Sequence, residues 1–262
     1  MNHRLLCTPA PGFNRILEVG DRDMALTGFG LLVLSTGQRH RVAQPAREFV
    51  LVVLGGRCTV RIDGGEEFVG IGERANVFAG LPYTVYVPAD TPFEIEALTE
   101  VEIAVAESPS QRKGKPILIG PDRVKSVALG RDNFSRQATI ILDENVPAEH
   151  FFLGEAIVPP GNWGSFPPHR HEFDNPPHEL DMEEIYFFRF NPSQGFGIQS
   201  IYTDARDVDV AYTVRHNDTI AIPRGYHPVV NAPGYSMYFL WIMTGVQRGF
   251  INHKDPQHSW IK

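Results

Sequence analysis

The chain has 262 residues, of which 42% are hydrophobic and 21% are charged, and its formal net charge is −7. This length is enough for one large or two smaller domains, and the apolar fraction is enough for a substantial core. The acidic balance and the lack of a basic cluster argue against nucleic-acid binding. No apolar stretch of about eighteen residues occurs, so no membrane span is expected. The 24 glycines and 21 prolines favour short strands joined by turns over long helices.

The amino terminus and the cysteines indicate the cellular compartment. The first residues, MNHRLLCTPAPG, lack the apolar core that a signal peptide carries. Cys7 and Cys58 are the two cysteines, and neither has a partner nearby in the sequence. A reduced, cytoplasmic protein is the simplest interpretation of both features.

The first half of the chain predicts a series of short strands. GFGLLVLSTGQ is the first clear strand, and REFVLVVLGGRCTVRID follows as two strands around Gly55 and Gly56, which we interpret as a hairpin turn. Several more strands follow, and VEIAVAES is the last of this half. The polar segment Ser108–Arg123 contains glycine and proline and is the predicted linker. We therefore expect one domain over residues 1–115 and a second over residues 124–262.

The second half contains the stretch with the most chemistry, PPHRHEFDNPPHELDMEE. Side chains alternate across a strand, so His169 and His171 fall on one face. The run EIYFFRF, which begins at Glu184, is rich in β-branched and aromatic residues and predicts a strand. By the same alternation, Glu184 and Tyr186 share one face of that strand with two phenylalanines.

These residues predict a metal site. A carboxylate on the apolar face of a strand is costly to bury unless it is paired or bound to a metal. A third histidine, His227, follows a Pro-x-Gly turn in IAIPRGYHPVVNAPG. A lone His-x-His pair is more often ordinary surface polarity, so the prediction depends on His169, His171, Glu184 and His227 together. Three imidazoles and one carboxylate suit zinc, manganese or iron, and they leave coordination positions open for water or substrate.

Two segments of the first half are similar to segments of the second. VFAGLPYTVYVPADTP resembles IAIPRGYHPVVNAPG, with Thr84 in the place of His227. REFVLVVLGG resembles EEIYFFRFNP, which puts Glu48 opposite Glu184. The first half therefore predicts a duplicated barrel that lacks the set of metal ligands and has a structural or covering role.

Two β-barrel halves, an HxH motif followed by a strand glutamate, and a PxG…H turn resemble a bicupin, an all-β fold of two tandem cupin (jelly-roll) barrels. Within that superfamily, PPHRHEFDNPPHE, EEIYFFRFNPSQGFGIQ, VRHNDTIAIPRGYHPVVNAPGY and DPQHSWI closely resemble the 5-deoxy-glucuronate isomerase family of myo-inositol catabolism. The resemblance covers most of the chain and is strongest from about Phe151 onward. It implies that His169, His171, Glu184 and His227 bind a divalent metal, with zinc or manganese favoured over iron.

The resemblance also implies a reaction. The family interconverts 5-deoxy-D-glucuronate and 5-dehydro-2-deoxy-D-gluconate, so the chain is expected to be an aldose–ketose isomerase, an intramolecular oxidoreductase that requires no organic cofactor. Two features depart from the general cupin pattern. The spacing between His171 and Glu184 is long, and the turn Pro223–His227 is one residue shorter than PxGxxH. Glu183 remains an alternative to Glu184 as the carboxylate ligand.

Such an isomerase needs a base, an acid and a group that stabilises the enediol oxygen. Glu179, in the loop before the metal-bearing strand, and Tyr186 are the candidates for proton transfer. The alternative is that this loop glutamate is solvated and that the inward tyrosine only packs. Arg224, in the turn beside the third histidine, is the candidate for holding the substrate carboxylate through paired hydrogen bonds, although it could be an ordinary surface residue.

Two other classes of function remain open from the sequence. A metal-dependent cupin dioxygenase is one, because iron in a similar histidine-rich barrel can activate oxygen. A non-enzymatic sugar-binding bicupin is the other. The expected partner is a small sugar acid, with no nucleic acid and no membrane, and the edge strands of the barrels allow a homo-oligomer.

Overall fold

The computed structural model describes residues 2–43 and 46–261. The described residues form strands that pair antiparallel throughout, together with three short 3₁₀ turns at Asp21–Asp23, Asp132–Phe134 and Pro256–His258. None of the helices in these ranges has the length and apolar character needed to cross a membrane.

The strands of the first half are β1 (Arg4–Leu5), β2 (Gly12–Leu17), β3 (Gly28–Leu34), β4 (Arg39–Val42), β5 (Arg47–Gly55), β6 (Cys58–Ile62), β7 (Glu67–Ile71), β8 (Thr84–Val87), β9 (Phe93–Ala97), β10 (Val101–Pro109) and β11 (Ile117–Ile119). The strands of the second half are β12 (Lys125–Leu129), β13 (Arg136–Leu142), β14 (Phe151–Val158), β15 (Trp163–Gly164), β16 (His169–Arg170), β17 (Glu183–Asn191), β18 (Phe196–Tyr202), β19 (Asp209–Arg215), β20 (Thr219–Ile222), β21 (Val229–Asn231), β22 (Ser236–Thr244) and β23 (His253–Lys254).

The first half is built from two sheets. One has six strands in the order β11-β8-β5-β10-β3-β2, and the other has four in the order β4-β9-β6-β7. Alternate side chains of β5, namely Phe49, Leu51 and Val53, belong to one apolar cluster with residues of the four-stranded sheet. Because successive side chains point to opposite faces of a strand, the two sheets enclose a core between their facing sides.

The second half repeats this plan with a larger sheet. Seven strands run in the order β1-β20-β17-β22-β14-β13-β12, a second sheet has the order β15-β21-β18-β19, and β16 pairs with β23. The inner face of β17 contributes Tyr186, Phe188 and Phe190 to the core of this half. The alternation predicted for EIYFFRF is therefore present in the structure.

A third apolar cluster joins the halves. It is formed by the outer faces of the six-stranded and seven-stranded sheets, with Val50 and Val52 from β5 and Ile185 and Phe187 from β17. The rings of Phe29 and Phe187 lie 5.6 Å apart across this junction. Both faces of β5 and β17 are thus buried, which explains their continuous apolar sequences.

The predicted hairpin at Gly55 and Gly56 is wrong. β5 pairs with β8 and β10, whereas β6 pairs with β7 and β9, so the two glycines carry the chain from one sheet to the other. Gly56 has φ +86°, and a Cβ at this position would overlap the carbonyl oxygen of Glu100. A glycine pair is therefore required here by a close backbone approach rather than by a hairpin turn.

Two short strands extend across the predicted domain boundaries. β11 lies inside the predicted linker and pairs with β8 of the first half. At the other end of the chain, β1 pairs with β20 of the second half, with Arg4 opposite Ile220. The division into residues 1–115 and 124–262 stays a prediction, and these pairings show that each half uses a strand from outside those limits.

The predicted correspondence between Glu48 and Glu184 is wrong, because the two side chains lie on opposite faces of their strands. Glu184 lies on the inner face of β17, whereas Glu48 has the same parity as the outward-facing Val50 of β5. The carboxylate of Glu48 accepts hydrogen bonds from the backbone amides of Glu149 and His150, each at 2.8 Å. A shift of one residue in an alignment of strands moves a side chain to the opposite face, so this glutamate connects the halves instead.

Candidate metal centre and its cavity

Side chains from three separate elements meet inside the second half. His171 follows β16, Glu184 lies on β17, and His227 lies in the turn after β20. Nε2 of His171 and Nε2 of His227 each lie 3.1 Å from Oε2 of Glu184, and all three residues are buried. Their ligand atoms lie within 4.8 Å of one another, and the described residues contain no other group of three that is this compact.

His169 lies beside this group. Its ring centroid is 5.0 Å from that of His227 and 6.4 Å from that of His171, and its side chain lines a cavity together with Glu184. The residue between the two histidines, Arg170, packs on the aromatic ring of Tyr226 instead. His169 and His171 thus share a face as the alternation requires, although β16 is only two residues long.

The three histidines each have one ring nitrogen near a backbone carbonyl. Nδ1 of His227 lies 2.8 Å from the carbonyl oxygen of Gly225, Nδ1 of His171 contacts that of Met182, and Nδ1 of His169 lies 3.4 Å from that of Pro167. Since a carbonyl oxygen only accepts, Nδ1 is the protonated nitrogen in these contacts and Nε2 keeps its lone pair.

The donor set fits a divalent metal. Nε2 of His227 is buried and has no partner with hydrogen-bond geometry among the described residues, although Glu184 is near it. A buried polar atom without a partner is costly, and a metal would satisfy it. Neutral imidazole nitrogens and a carboxylate are ligands for zinc, manganese and iron.

The charges of the group are set by burial and by mutual pairing. Burial opposes ionisation of the Glu184 carboxylate, but the two neighbouring imidazoles of His171 and His227 outweigh burial and bring its pKa down to about 2. Burial also opposes a charge on His171, yet the Glu184 carboxylate raises its pKa. Burial and the neighbouring histidines lower the pKa of His169 to about 3, so that ring is neutral at physiological pH, as a metal ligand must be.

The turn that carries His227 depends on a glycine. Gly225 has φ +92°, and a Cβ there would lie 2.7 Å from the carbonyl oxygen of Tyr202. The close approach allows Tyr226 and Tyr202 to pair through both backbone amides, at 2.8 and 2.9 Å. The short Pro-x-Gly-x-His spacing is therefore compatible with an inward third histidine.

Glu183 has a different environment from Glu184. Its carboxylate accepts hydrogen bonds from the amides of Ala25, Leu26 and Thr27 at 2.6, 2.8 and 2.6 Å. It therefore faces the first half, where it holds the segment before β3. The geometry favours Glu184 over Glu183 as the carboxylate of the candidate centre.

A cavity of about 150 Å³ opens beside the cluster. Its apolar wall consists of Val127, Leu129, Ala138, Ile140, Ala156, Phe239, Trp241, Met243 and Phe250. Its polar wall consists of Arg136, Ser165, His169, Glu184 and Tyr186. A small volume with few, convergent polar groups suits a small molecule rather than a polymer.

Tyr186 is the predicted proton-transfer residue that lies in this cavity. Its hydroxyl contacts the hydroxyl of Ser165, and its ring lies 5.8 Å from that of His227. Burial raises the pKa of Tyr186 well above the usual value, and the negative charge of Glu184 adds to that rise. The phenol therefore keeps its proton and can donate it. Sequence reasoning missed Ser165, which is held at φ +48°.

Glu179 and Arg224 have other neighbours. Oε1 of Glu179 accepts hydrogen bonds from Nε of Arg170 at 3.1 Å and from the amide of Glu172 at 2.7 Å. Arg224 donates to Asp207 at 2.5 Å and lies 3.8 Å from Glu172. Neither Glu179 nor Arg224 is among the described residues that line the cavity. Their predicted roles in proton transfer and carboxylate binding stay predictions.

Arg136 is a cavity residue that the sequence analysis did not select. It lies at the start of β13, in phase with Ala138 and Ile140, and all three line the cavity. A charged residue in phase with the apolar face of a strand is the same signal that singled out Glu184. The sequence RQATIIL contains this pattern of a charged residue in phase with apolar ones.

Comparisons with known proteins place this chain in a family. The model of the KduI/IolB family matches residues 6–261. This chain belongs to the KduI/IolB family. A protein from Geobacillus kaustophilus (strain HTA426) that is named 5-deoxy-glucuronate isomerase is 40% identical over 235 residues, which are 89% of this chain and 85% of that protein. A Listeria innocua protein of the same name is 35% identical over 257 residues, or 96% and 94% of the two chains.

Solved structures agree with the family and with the fold. An IolB-like protein from Salmonella typhimurium LT2 superposes with a TM-score of 0.95 at 31% identity, over 100% of this chain and 99% of that chain. An oxalate decarboxylase from Lactobacillus farciminis superposes with a TM-score of 0.70 at 13% identity, over 97% and 88% of the chains, which shows the fold alone. The all-β bicupin fold predicted from the sequence is confirmed, and so is the resemblance to the isomerase family.

Proposed function

We propose that this KduI/IolB chain is a metal-dependent aldose–ketose isomerase that converts 5-deoxy-D-glucuronate into 5-dehydro-2-deoxy-D-gluconate. The observation that carries the proposal is the cluster of His171, Glu184 and His227, whose carboxylate lines a small cavity together with Tyr186. Relatives that align over most of the chain are named for this reaction. The expected partner is therefore a small sugar acid.

In this proposal His169, His171, Glu184 and His227 hold a divalent ion, zinc or manganese. When bound, such an ion supplies Lewis-acid polarisation of a carbonyl oxygen and the neighbouring hydroxyl oxygen, which favours an enediol. The backbone carbonyls near the three Nδ1 atoms orient the imidazoles and leave the Nε2 atoms to bind the ion.

The reaction moves a carbonyl from one carbon to its neighbour. A base takes the proton from the carbon beside the aldehyde, an enediol forms, and an acid returns a proton to the former aldehyde carbon, so atoms and electrons balance without an external oxidant. Tyr186 keeps its proton because its surroundings are buried and negatively charged. In our proposal it donates a hydrogen bond to the oxygen that gains negative charge, and the Ser165 hydroxyl orients the phenol.

The contacts of Glu179 favour a positioning role over direct proton transfer. Its carboxylate accepts a hydrogen bond from Arg170, the residue between His169 and His171. It also accepts hydrogen bonds from two backbone amides of the loop that follows. We infer that Glu179 keeps His169 and His171 directed at the cavity. The side-chain oxygens of a carboxylate that is occupied in this way are poorly available to a substrate.

The deciding experiment is an assay of 5-deoxy-D-glucuronate isomerisation by the purified protein, with metal content measured on the same sample. Activity should disappear on chelation and return with zinc or manganese. A chelated protein that keeps full activity would contradict the metal-dependent mechanism. Bound iron with oxygen uptake but no isomerisation would instead support the dioxygenase.

A further inference from the structure

The cavity contains one guanidinium group among the described residues, that of Arg136. The side chain reaches the cavity from β13, on the same wall as Ala138 and Ile140. The other polar residues of the wall are two of the candidate metal ligands, His169 and Glu184, together with Tyr186 and Ser165. Arg136 is therefore a positive charge set in a mostly apolar enclosure beside the cluster.

No carboxylate of the described residues forms an ion pair with Arg136. Nη1 donates to the carbonyl oxygens of Phe134 at 3.1 Å and Phe166 at 3.3 Å. Nε and Nη2 have no hydrogen-bond partner in the described parts of the chain. By contrast, Arg74 and Arg189 are each paired with a glutamate. Burial lowers the pKa of Arg136, in keeping with the lack of a carboxylate partner.

The edge of this guanidinium that carries Nε and Nη2 has the geometry needed to bind a carboxylate. Nε and Nη2 form a planar fork that binds both oxygens of a carboxylate in parallel hydrogen bonds. The two bonds from Nη1 fix the plane of the group, so little side-chain freedom is lost on binding. A cation that is desolvated and unpaired before a ligand arrives is stabilised by an anionic ligand.

We propose that Arg136 binds the carboxylate of the sugar-acid substrate and thereby directs the carbonyl end of the substrate to the cluster around Glu184. This inference rests on the proposed isomerase function and extends it to substrate selection. β22 and β14 lie between β17 and β13 in the seven-stranded sheet, so Glu184 and Arg136 are set apart along it. A linear sugar acid has its carboxylate and its aldehyde at opposite ends, so its two ends can be directed to different parts of the cavity wall.

The proposal replaces Arg224 in the role that the sequence suggested. Arg224 is 42% exposed and pairs with Asp207, and it lies near His3 and Asp23 in a different depression. Its charge is already compensated, and no step of the proposed mechanism brings the substrate there.

The test compares an acid with its neutral amide. D-glucuronate and its primary amide differ in the charge at one end, and calorimetry gives the affinity of the metal-loaded protein for each. The wild-type protein should prefer the acid roughly ten- to hundred-fold, since hydrogen bonds between charged groups contribute about 1.5–3 kcal/mol. Arg136→Met should abolish the preference, and Arg136→Lys should retain part of it. With 5-deoxy-D-glucuronate, Arg136→Met should raise KM more than it lowers kcat.

Two further variants make the result decisive. Arg131→Met removes an exposed arginine close in sequence and should leave both affinities unchanged. Arg224→Met tests the competing site. Unchanged acid preference in Arg136→Met with unaltered metal content, or loss of the preference in Arg224→Met, would overturn the inference. A wild-type protein that prefers the acid through Arg136 but does not isomerise 5-deoxy-D-glucuronate would refute the proposed function and retain the carboxylate site.

Discussion

Single residues of the candidate centre differ in what they contribute. His227 supplies a buried imidazole nitrogen that the described protein atoms leave without a hydrogen-bond partner, whereas Tyr186 keeps its phenolic proton and is the proposed hydrogen-bond donor to the substrate. Substitutions at the two positions should therefore separate metal binding from chemistry.

His227→Ala should lose metal and activity together and leave the fold largely intact. The imidazole contributes one ligand atom, and the surrounding core of the second half does not depend on it. Metal content after dialysis, isomerase activity and circular dichroism measured on one preparation check this expectation. Full activity in a metal-free variant would show that the ligand assignment is wrong.

Tyr186→Phe should lower kcat by roughly a hundred-fold or more and leave metal content unchanged, because it removes the proton donor but no ligand. Ser165→Ala keeps the phenol and should have a smaller effect on kcat, since it removes only the hydroxyl that contacts Tyr186. Steady-state kinetics with metal analysis distinguishes the two variants. If the rate of Tyr186→Phe equals that of the wild type, the tyrosine is a packing residue.

At the scale of elements, the segment of residues 169–171, called the histidine arm here, is held in place by residues near the end of the chain. β16 has β23 as its only strand partner in the described residues, with His169 opposite Lys254. Asp255 fixes this pair. Its amide donates to Pro168 at 2.9 Å, its carboxylate accepts from Tyr202 at 2.8 Å, and it caps the last 3₁₀ turn. The motif DPQHSWI thus has a structural role beside the site.

Asp255→Ala should weaken metal affinity by roughly ten-fold, since groups that orient metal ligands typically contribute this much or more. Competition with a chromogenic chelator gives the affinity, and thermal unfolding measures any loss of global stability. Trp260→Ala, at a residue that is 75% exposed in the same segment, is the matched control and should behave as the wild type. Equal affinity in both variants would mean that the arm is rigid without the terminal segment.

At the scale of the whole molecule, a buried ion pair connects the halves. Nη1 of Arg74, from the first half, lies 3.0 Å from Oε1 of Glu155 on β14, and the side chains are 1% and 5% exposed. The hydroxyl of Tyr238 donates to the same carboxylate at 3.0 Å. The pair lies next to the apolar cluster between the two large sheets, so it fixes how the sheets face each other.

Arg74→Met should destabilise the protein by about 3–5 kcal/mol, because it leaves the Glu155 carboxylate buried without its counter-ion. The double variant Arg74→Met/Glu155→Leu should recover much of this loss. Arg41→Met removes one partner of an exposed pair with Asp63 and should change the stability far less, because solvent screens that pair. Urea unfolding of the variants measures the differences. Equal midpoints for Arg74→Met and Arg41→Met would contradict a stabilising role for the buried pair.

The sequence by itself determined the features that depend on local alternation. A strand has a period of two residues, so EIYFFRF specified that Glu184 and Tyr186 face one side and Ile185 and Phe187 the other. The same rule gave His169 and His171 a common face. The family motifs then identified the fold, since they contain the turn and strand residues that the barrel needs.

Only the tertiary structure decided which charged groups share a space. Glu183 and Glu184 are adjacent in sequence. Yet Glu183 accepts hydrogen bonds from backbone amides of the first half, whereas Glu184 lies beside the histidines of the candidate centre. Arg136 enters the cavity, whereas Arg224, closer in sequence to His227, pairs with Asp207. These outcomes depend on contacts between strands far apart in the chain. Local patterns specify the face of a side chain, and the packing of sheets specifies what that face meets.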